Sequence, residues 1–377
     1  SKEVIKKKDL FLIAGKILTK KKEFDRDQLR AITANFFKKQ NIEKMIFDTE
    51  NDISFNLNKK LKINDLEIRS KLNLDQLVIK NNIKNLKKYL PDLEELINFE
   101  KHKIIINYNK DNLDIKGNGK ILVKNKFDTV NYKVIRNNNK FIFNTKTNIK
   151  NNKLLIEFLD FKKKENIDAS VVINGSFENN NPINFNLISL ITKNDKILFK
   201  NLNLSRDFKL ISVDSFNLDY LNIDEIKNQL FLKKNNSNYN ILGKSFDATK
   251  LINKIMNNDD ENSSLFDNFN SKITLKINKT YIDKVNFINN LSGVLNFKNN
   301  RIEDLNLNSV FPNSKKINIS IKTNDKNEKI TKLFTDYPKP LIKRYNFIKG
   351  FEEGLLVYQS VTKNGISNVL LTIENFK

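Results

Sequence analysis

Gly243-Lys244-Ser245 has the residue types on which a phosphate-cradling loop ends, where backbone amides and a lysine would hold a nucleotide. Such a loop also needs a glycine at position 238, which is Asn238. Gly117-Asn118-Gly119 starts a dinucleotide fingerprint, but Leu122 replaces the third glycine, so the pair reads as a turn or bulge between strands. His102 is the sole histidine and alternates with Ile104, Ile106 and Tyr108, as a structural residue on one strand face would. With one His and no Cys, neither a zinc site nor a Ser-His-Asp triad is expected. Glu94-Glu95 and Glu352-Glu353 are adjacent pairs whose side chains diverge on an extended backbone, which is wrong for paired-carboxylate catalysis. Asn-x-Ser/Thr matches such as Asn278-Lys279-Thr280 follow from the abundance of Asn. The sequence therefore points to no enzyme, no catalytic residue, no cofactor and no metal.

The remaining candidates for function are apolar stripes. Ile183, Phe185 and Leu187 are spaced two apart, as are Ile273, Leu275 and Ile277, then Ile317, Ile319 and Ile321, and finally Val369, Leu371 and Ile373. Period two puts each set on one face of a strand. Leu291–Val310 shows the device at its clearest: Phe297 on one side and Leu305 and Leu307 on the other flank Lys298-Asn299-Asn300-Arg301, a run without apolar residues. That is two antiparallel strands joined by a tight turn. The stripes could meet one another in the dry core of a sandwich or barrel, or line an apolar groove for acyl chains. Alternation by itself favours the dry core.

The elements carrying these stripes read as a mainly β, antiparallel meander with a few short helices. Ile42–Lys80 and Lys103–Tyr239 alternate almost throughout, broken by Asn, Asp or Gly at turn positions. Helical spacing marks 25–39, 83–98 (broken near Pro91), 245–256 with Ser245 as its cap, and part of 329–345. We read residues 1–100 as a mixed strand and helix segment and 101–256 as a β-groove ending in a short helix. Residues 257–270 form a polar linker, and 271–377 a second β segment. Both ends read as cut, so the chain is expected to be a piece of a longer protein, with any membrane anchor outside it.

A net charge of +23 permits attraction to nucleic acid or to anionic lipid. The lysines, however, are spread over almost every strand and turn, with no cluster interleaved with exposed aromatics. They read as a solvated surface that discourages edge-to-edge pairing, and no nucleic-acid partner is expected.

Several stretches together resemble the AsmA-like family and its YhdP-type branch: Gly243-Lys-Ser-Phe-Asp-Ala248, Leu291-Ser-Gly-Val-Leu-Asn-Phe297 with Arg301-Ile-Glu-Asp-Leu-Asn-Leu307, Gly350-Phe-Glu-Glu-Gly-Leu-Leu356, and Val369-Leu-Leu-Thr-Ile-Glu-Asn-Phe376. The resemblance covers 240–377 best. It implies a long, twisted, taco-like sheet with an open apolar groove that carries phospholipid acyl chains across the periplasm, between the inner and outer membranes of a Gram-negative cell. The anchor would lie in the inner membrane. It assigns the stripes, with Phe297, Leu305 and Leu307, to the groove lining. The rival readings are a structural or adhesive β-repeat protein with a dry core and a basic binder of nucleic acid or other polyanions.

Overall fold

The computed structural model describes residues 3–7, 10–28, 41–80, 87, 89–123, 126–252, 266–345 and 353–375. Strands hold 71% of the chain, in open sheet not closed into a barrel, and the helices among the described residues are short. The chain forms two compact units, Ser1–Glu157 with Lys162–Asn194, and Phe158–Phe161 with Asp195–Lys377. The division falls inside the range 101–256 read above as one groove.

The first unit begins with β1 (Glu3–Lys7), β2 (Leu10–Asp25), β3 (Ile42–Asn58) and β4 (Ile63–Lys80). It continues with β5 (Leu96–Asn109), β6 (Asn112–Val123), β7 (Lys126–Asn137) and β8 (Lys140–Ile149). Each pairs antiparallel with the next. Two short strands follow, β9 (Leu154–Ile156) and β10 (Phe161–Lys163), before β11 (Ala169–Glu178) pairs β8 and β12 (Ile183–Ile191) pairs β11. Hairpin turns use Asn in the left-handed region, as at Asn138 and Asn180.

The second unit holds β13 (Lys196–Leu204), β14 (Leu210–Ser212), β15 (Ser215–Leu221), β16 (Lys227–Asn235) and β17 (Asn238–Asp247). Then come β18 (Ser271–Tyr281), β19 (Phe287–Lys298), β20 (Arg301–Val310), β21 (Lys316–Thr323), β22 (Lys329–Thr335), β23 (Leu355–Lys363) and β24 (Ile366–Glu374). From β18 onward neighbours pair antiparallel in sequence order. The expected turn at Lys298-Asn299-Asn300-Arg301 is present: Asn299 and Asn300 both have positive φ, and Lys298 pairs with Arg301. Positive φ at both central residues gives the turn whose twist suits a two-residue hairpin.

Among the described strand pairs of the second unit, one departs from the antiparallel meander, and an isolated bridge between Leu210 and Phe266 is also parallel. β17 pairs β18 in parallel, because the chain between them is long enough to return to the same end. Helical readings are also corrected. Ser245 lies inside β17 and donates to the Lys227 carbonyl; Asp247 is the cap, accepting from the Thr249 amide at 2.9 Å. Helical residues there run 249–252, the remainder lying outside the described residues. In 25–39, residues 26–28 are helical, capped reciprocally by Asp25 and Gln28, and 29–39 lie outside the described residues. Residues 83–86 and 88 of the expected 83–98 helix lie outside the described residues and 96–98 belong to β5, while 329–345 divides into β22 and the helix Lys339–Tyr345.

Candidate functional site

Residues directly opposite one another on paired strands share a face, so the register traces each face across a unit. In the second unit one row runs Phe199, Phe216, Leu232, Ile241, Leu275, Gly293, Leu307, Ile319, Leu333, Tyr358, Leu371. Every member from β13 to β24 is apolar, aromatic or glycine. Gly293 lets β20 approach closely: a Cβ there would stand 1.9 Å from the Asn306 carbonyl oxygen. Beside this row lie Ile273, Leu295, Leu305, Ile321 and, after Thr331 and Ser360, Val369. On the other flank Ile277 faces Leu291, and Ile317 leads through Thr335 and Leu356 to Ile373. The register thus gathers Ile273, Leu275, Ile277, Leu305, Leu307, Ile317, Ile319, Ile321, Val369, Leu371 and Ile373 onto one face. Phe297 joins them opposite Ser271. The reverse face carries Lys276, Ser292, Asn308 and Asn318 in register, followed by Phe334, Val357 and Thr372.

This face is covered in two places. Over β13–β17, Phe266 and Phe269 stack on each other at 4.6 Å and pack with Phe297, Tyr239 and Leu232 as a dry core. Near Ile317, Leu341 of the short helix joins Phe311 and Ile288. Between these clusters Leu307, Ile319 and Tyr358 stay half-buried, and Leu371 is 40% exposed.

The first unit has the same two-faced construction. One row runs Ile53, Ile68, Tyr108, Leu113, Arg136, Phe141, Phe177, Ile183, and the next Ile106, Ile115, Val134, Phe143, Gly175, Phe185. Phe141 stacks on Phe177 at 5.0 Å, and Phe143 meets Phe185 edge-on. The opposite face carries Lys71, Ile105, Lys116, Lys133, Asn144, Asn174 and, last, Leu187. Leu187 therefore does not share a face with Ile183 and Phe185. A bulge at Asn186, where Gly175 pairs with Phe185 but Asn174 with Leu187, turns the strand over. Alternation carries no signal of such an insertion. The stripes on β3–β8 are legible as alternation, and only the register shows that they join this face.

On the apolar face of this unit lies a cavity of about 300 Å³ lined by Leu74, Phe99, Ile104, Val130, His102 and Tyr132. His102 is 3% exposed; its Nδ1 lies 3.3 Å from the Tyr132 hydroxyl and its Nε2 3.1 Å from the Lys120 carbonyl oxygen. Burial pulls the imidazole pKa below its usual value. Gly117 and Gly119 sit in mid-strand under the Tyr132 and His102 rings, and the bulge lies across from them, between Glu100 and Lys103. Lys163 is also buried; its ammonium donates to the carbonyls of Lys150 and Asn152, while Asp128 accepts from the amides of Lys150 and Asn151.

The other motifs do not form sites. Gly243-Lys244-Ser245 lies within β17, not at a helix start. Glu94 and Glu95 are exposed, and Glu352 lies outside the described residues. Asp160, Asp224 and Asp247 bring carboxylate oxygens within 4.8 Å of one another, a juxtaposition invisible in sequence. Lys250 pairs with Asp160 and Lys284 with Asp224, so lysine charge already offsets the cluster. No helix among the described residues is long and apolar enough to cross a membrane. Comparison with protein-family models, curated proteins and solved structures finds no match.

Proposed function

We propose that this chain is a segment of an AsmA-like, YhdP-type lipid-transfer protein whose apolar faces carry phospholipid acyl chains between the inner and outer membranes. The observation that carries the reading is the row from Leu275 to Leu371, apolar, aromatic or glycine on every strand and half-open along its middle. An acyl chain laid across it exchanges water for hydrocarbon at about 0.8 kcal/mol per buried CH₂, while its headgroup stays solvated. Many similar weak contacts favour sliding over tight capture. In this reading the protein is not an enzyme and works in the periplasm, anchored to the inner membrane by a segment outside residues 1–377. The closed aromatic core over β13–β17 favours a purely structural role for that part of the sheet.

Adjacent leucines on β24 give the test. Leu371 belongs to the apolar row, whereas Leu370 faces away and is 64% exposed. Photo-crosslinking residues at each position, followed by mass spectrometry of attached lipid in envelope preparations, should label 371 several-fold more than 370. Equal labelling would sink the proposal.

A further inference from the structure

The reverse face of the second unit mixes lysine, serine and amide side chains with apolar ones such as Leu198, Val294, Phe334, Val357 and Leu370, and one apolar pair on it lies in a hollow. Phe231 pairs with Leu242, and the two are 42% and 53% exposed. They belong to an open concavity of about 350 Å³. Its shape comes from a bulge: Gln229 pairs with Ser245 and Leu230 with Gly243, leaving Lys244 as the inserted residue. Bulges re-aim side chains in this way and recur beside binding sites. Burial offers no reason for a phenyl ring and an isobutyl group side by side on a solvated face.

The rim is made of hydrogen-bonding groups. Asn217, directly opposite Phe231, and Asn278 and Gln229 each bring an amide able to donate and accept. Asp219 accepts from Gln229 at 3.1 Å and pairs with Lys227. Lys276, directly opposite Leu242, and Lys244 are exposed at the edge. The carboxylate is thus already engaged within the protein, and the surplus charge facing a ligand is positive.

An apolar platform ringed by amides and lysines matches one ligand chemistry well. The axial C–H face of a sugar ring stacks on an aromatic face, its hydroxyls exchange hydrogen bonds with amides, and a carboxylate on the ring meets the lysines. From this geometry we infer that the concavity at Phe231 and Leu242 binds a carboxylate-bearing saccharide. The site lies on the face away from the apolar row and does not depend on the lipid reading.

Saturation-transfer NMR and calorimetric titration of the full chain with tri-galacturonate test the inference, with maltotriose and citrate as controls. Tri-galacturonate is expected to receive saturation at its ring protons and to bind at least tenfold more tightly than either control. Phe231→Ala should weaken it about tenfold, and Lys244→Gln with Lys276→Gln should weaken it and flatten its salt dependence. No transfer, equal binding of citrate, equal binding of maltotriose, or full affinity in the Phe231→Ala protein would each overturn the inference. If Phe231→Ala does not fold, judged by far-UV circular dichroism, Leu242→Asn reads the same platform from its other half.

Discussion

His102 shows how one residue acquires its role from its neighbours. Its ring fits because Gly119 has no side chain: a Cβ there would approach the ring to 2.1 Å. Gly117-Asn118-Gly119 reads as a turn or bulge in sequence, yet both glycines lie inside β6 and clear space for aromatic rings from β5 and β7. Burial holds the imidazole pKa down, so near its usual value the unfolded chain binds a proton that the folded chain does not. Stability then rises with pH through that window and is lost as pH falls from 7.5 to 5.5. The effect is at most about 1.4 kcal/mol per pH unit for one proton. Urea unfolding at the two pH values should show a smaller loss in His102→Gln than in the native sequence; an identical loss would place the titration elsewhere.

At the scale of elements, alternation predicted strands well and the faces of strands less well. The turn at Asn299-Asn300 was legible because only a few residue types tolerate positive φ at both positions. The inserted residue Asn186 was not, because an Asn within a strand looks the same whether it is paired or bulged. That single insertion places Leu187 at the end of a row of Lys and Asn while Phe185 packs against Phe143. Phe185→Lys is therefore expected to cost about 2–4 kcal/mol, and Leu187→Lys under about 1 kcal/mol, in urea unfolding. Equal costs would mean that the register across β11 and β12 is read wrongly. Helix starts follow capping chemistry, but the cap is Asp247 and not Ser245, because hydrogen-bonded β17 extends to Asp247.

Across the whole molecule, the distribution of apolar surface matters more than its amount. A chain with all its stripes in a dry core would bind little solvatochromic dye. Half-open faces such as Leu307–Ile319–Tyr358 should bind Nile red in the native state, with far-UV circular dichroism unchanged and displacement by a long-chain lysophospholipid. Negligible dye uptake by the folded protein would favour the dry-core reading. The period-two pattern by itself determined that the chain is mostly strand, that each strand has an apolar and a polar side, and that Asn supplies its turns, since these follow from local backbone sterics. Only the tertiary structure decided which stripes join into rows, that β17 and β18 run parallel, that Leu187 changes sides, and where Phe266, Phe269 and the short helix cover the face. Those outcomes depend on register and on contacts between residues distant in sequence, and a periodic pattern is silent about what lies opposite it.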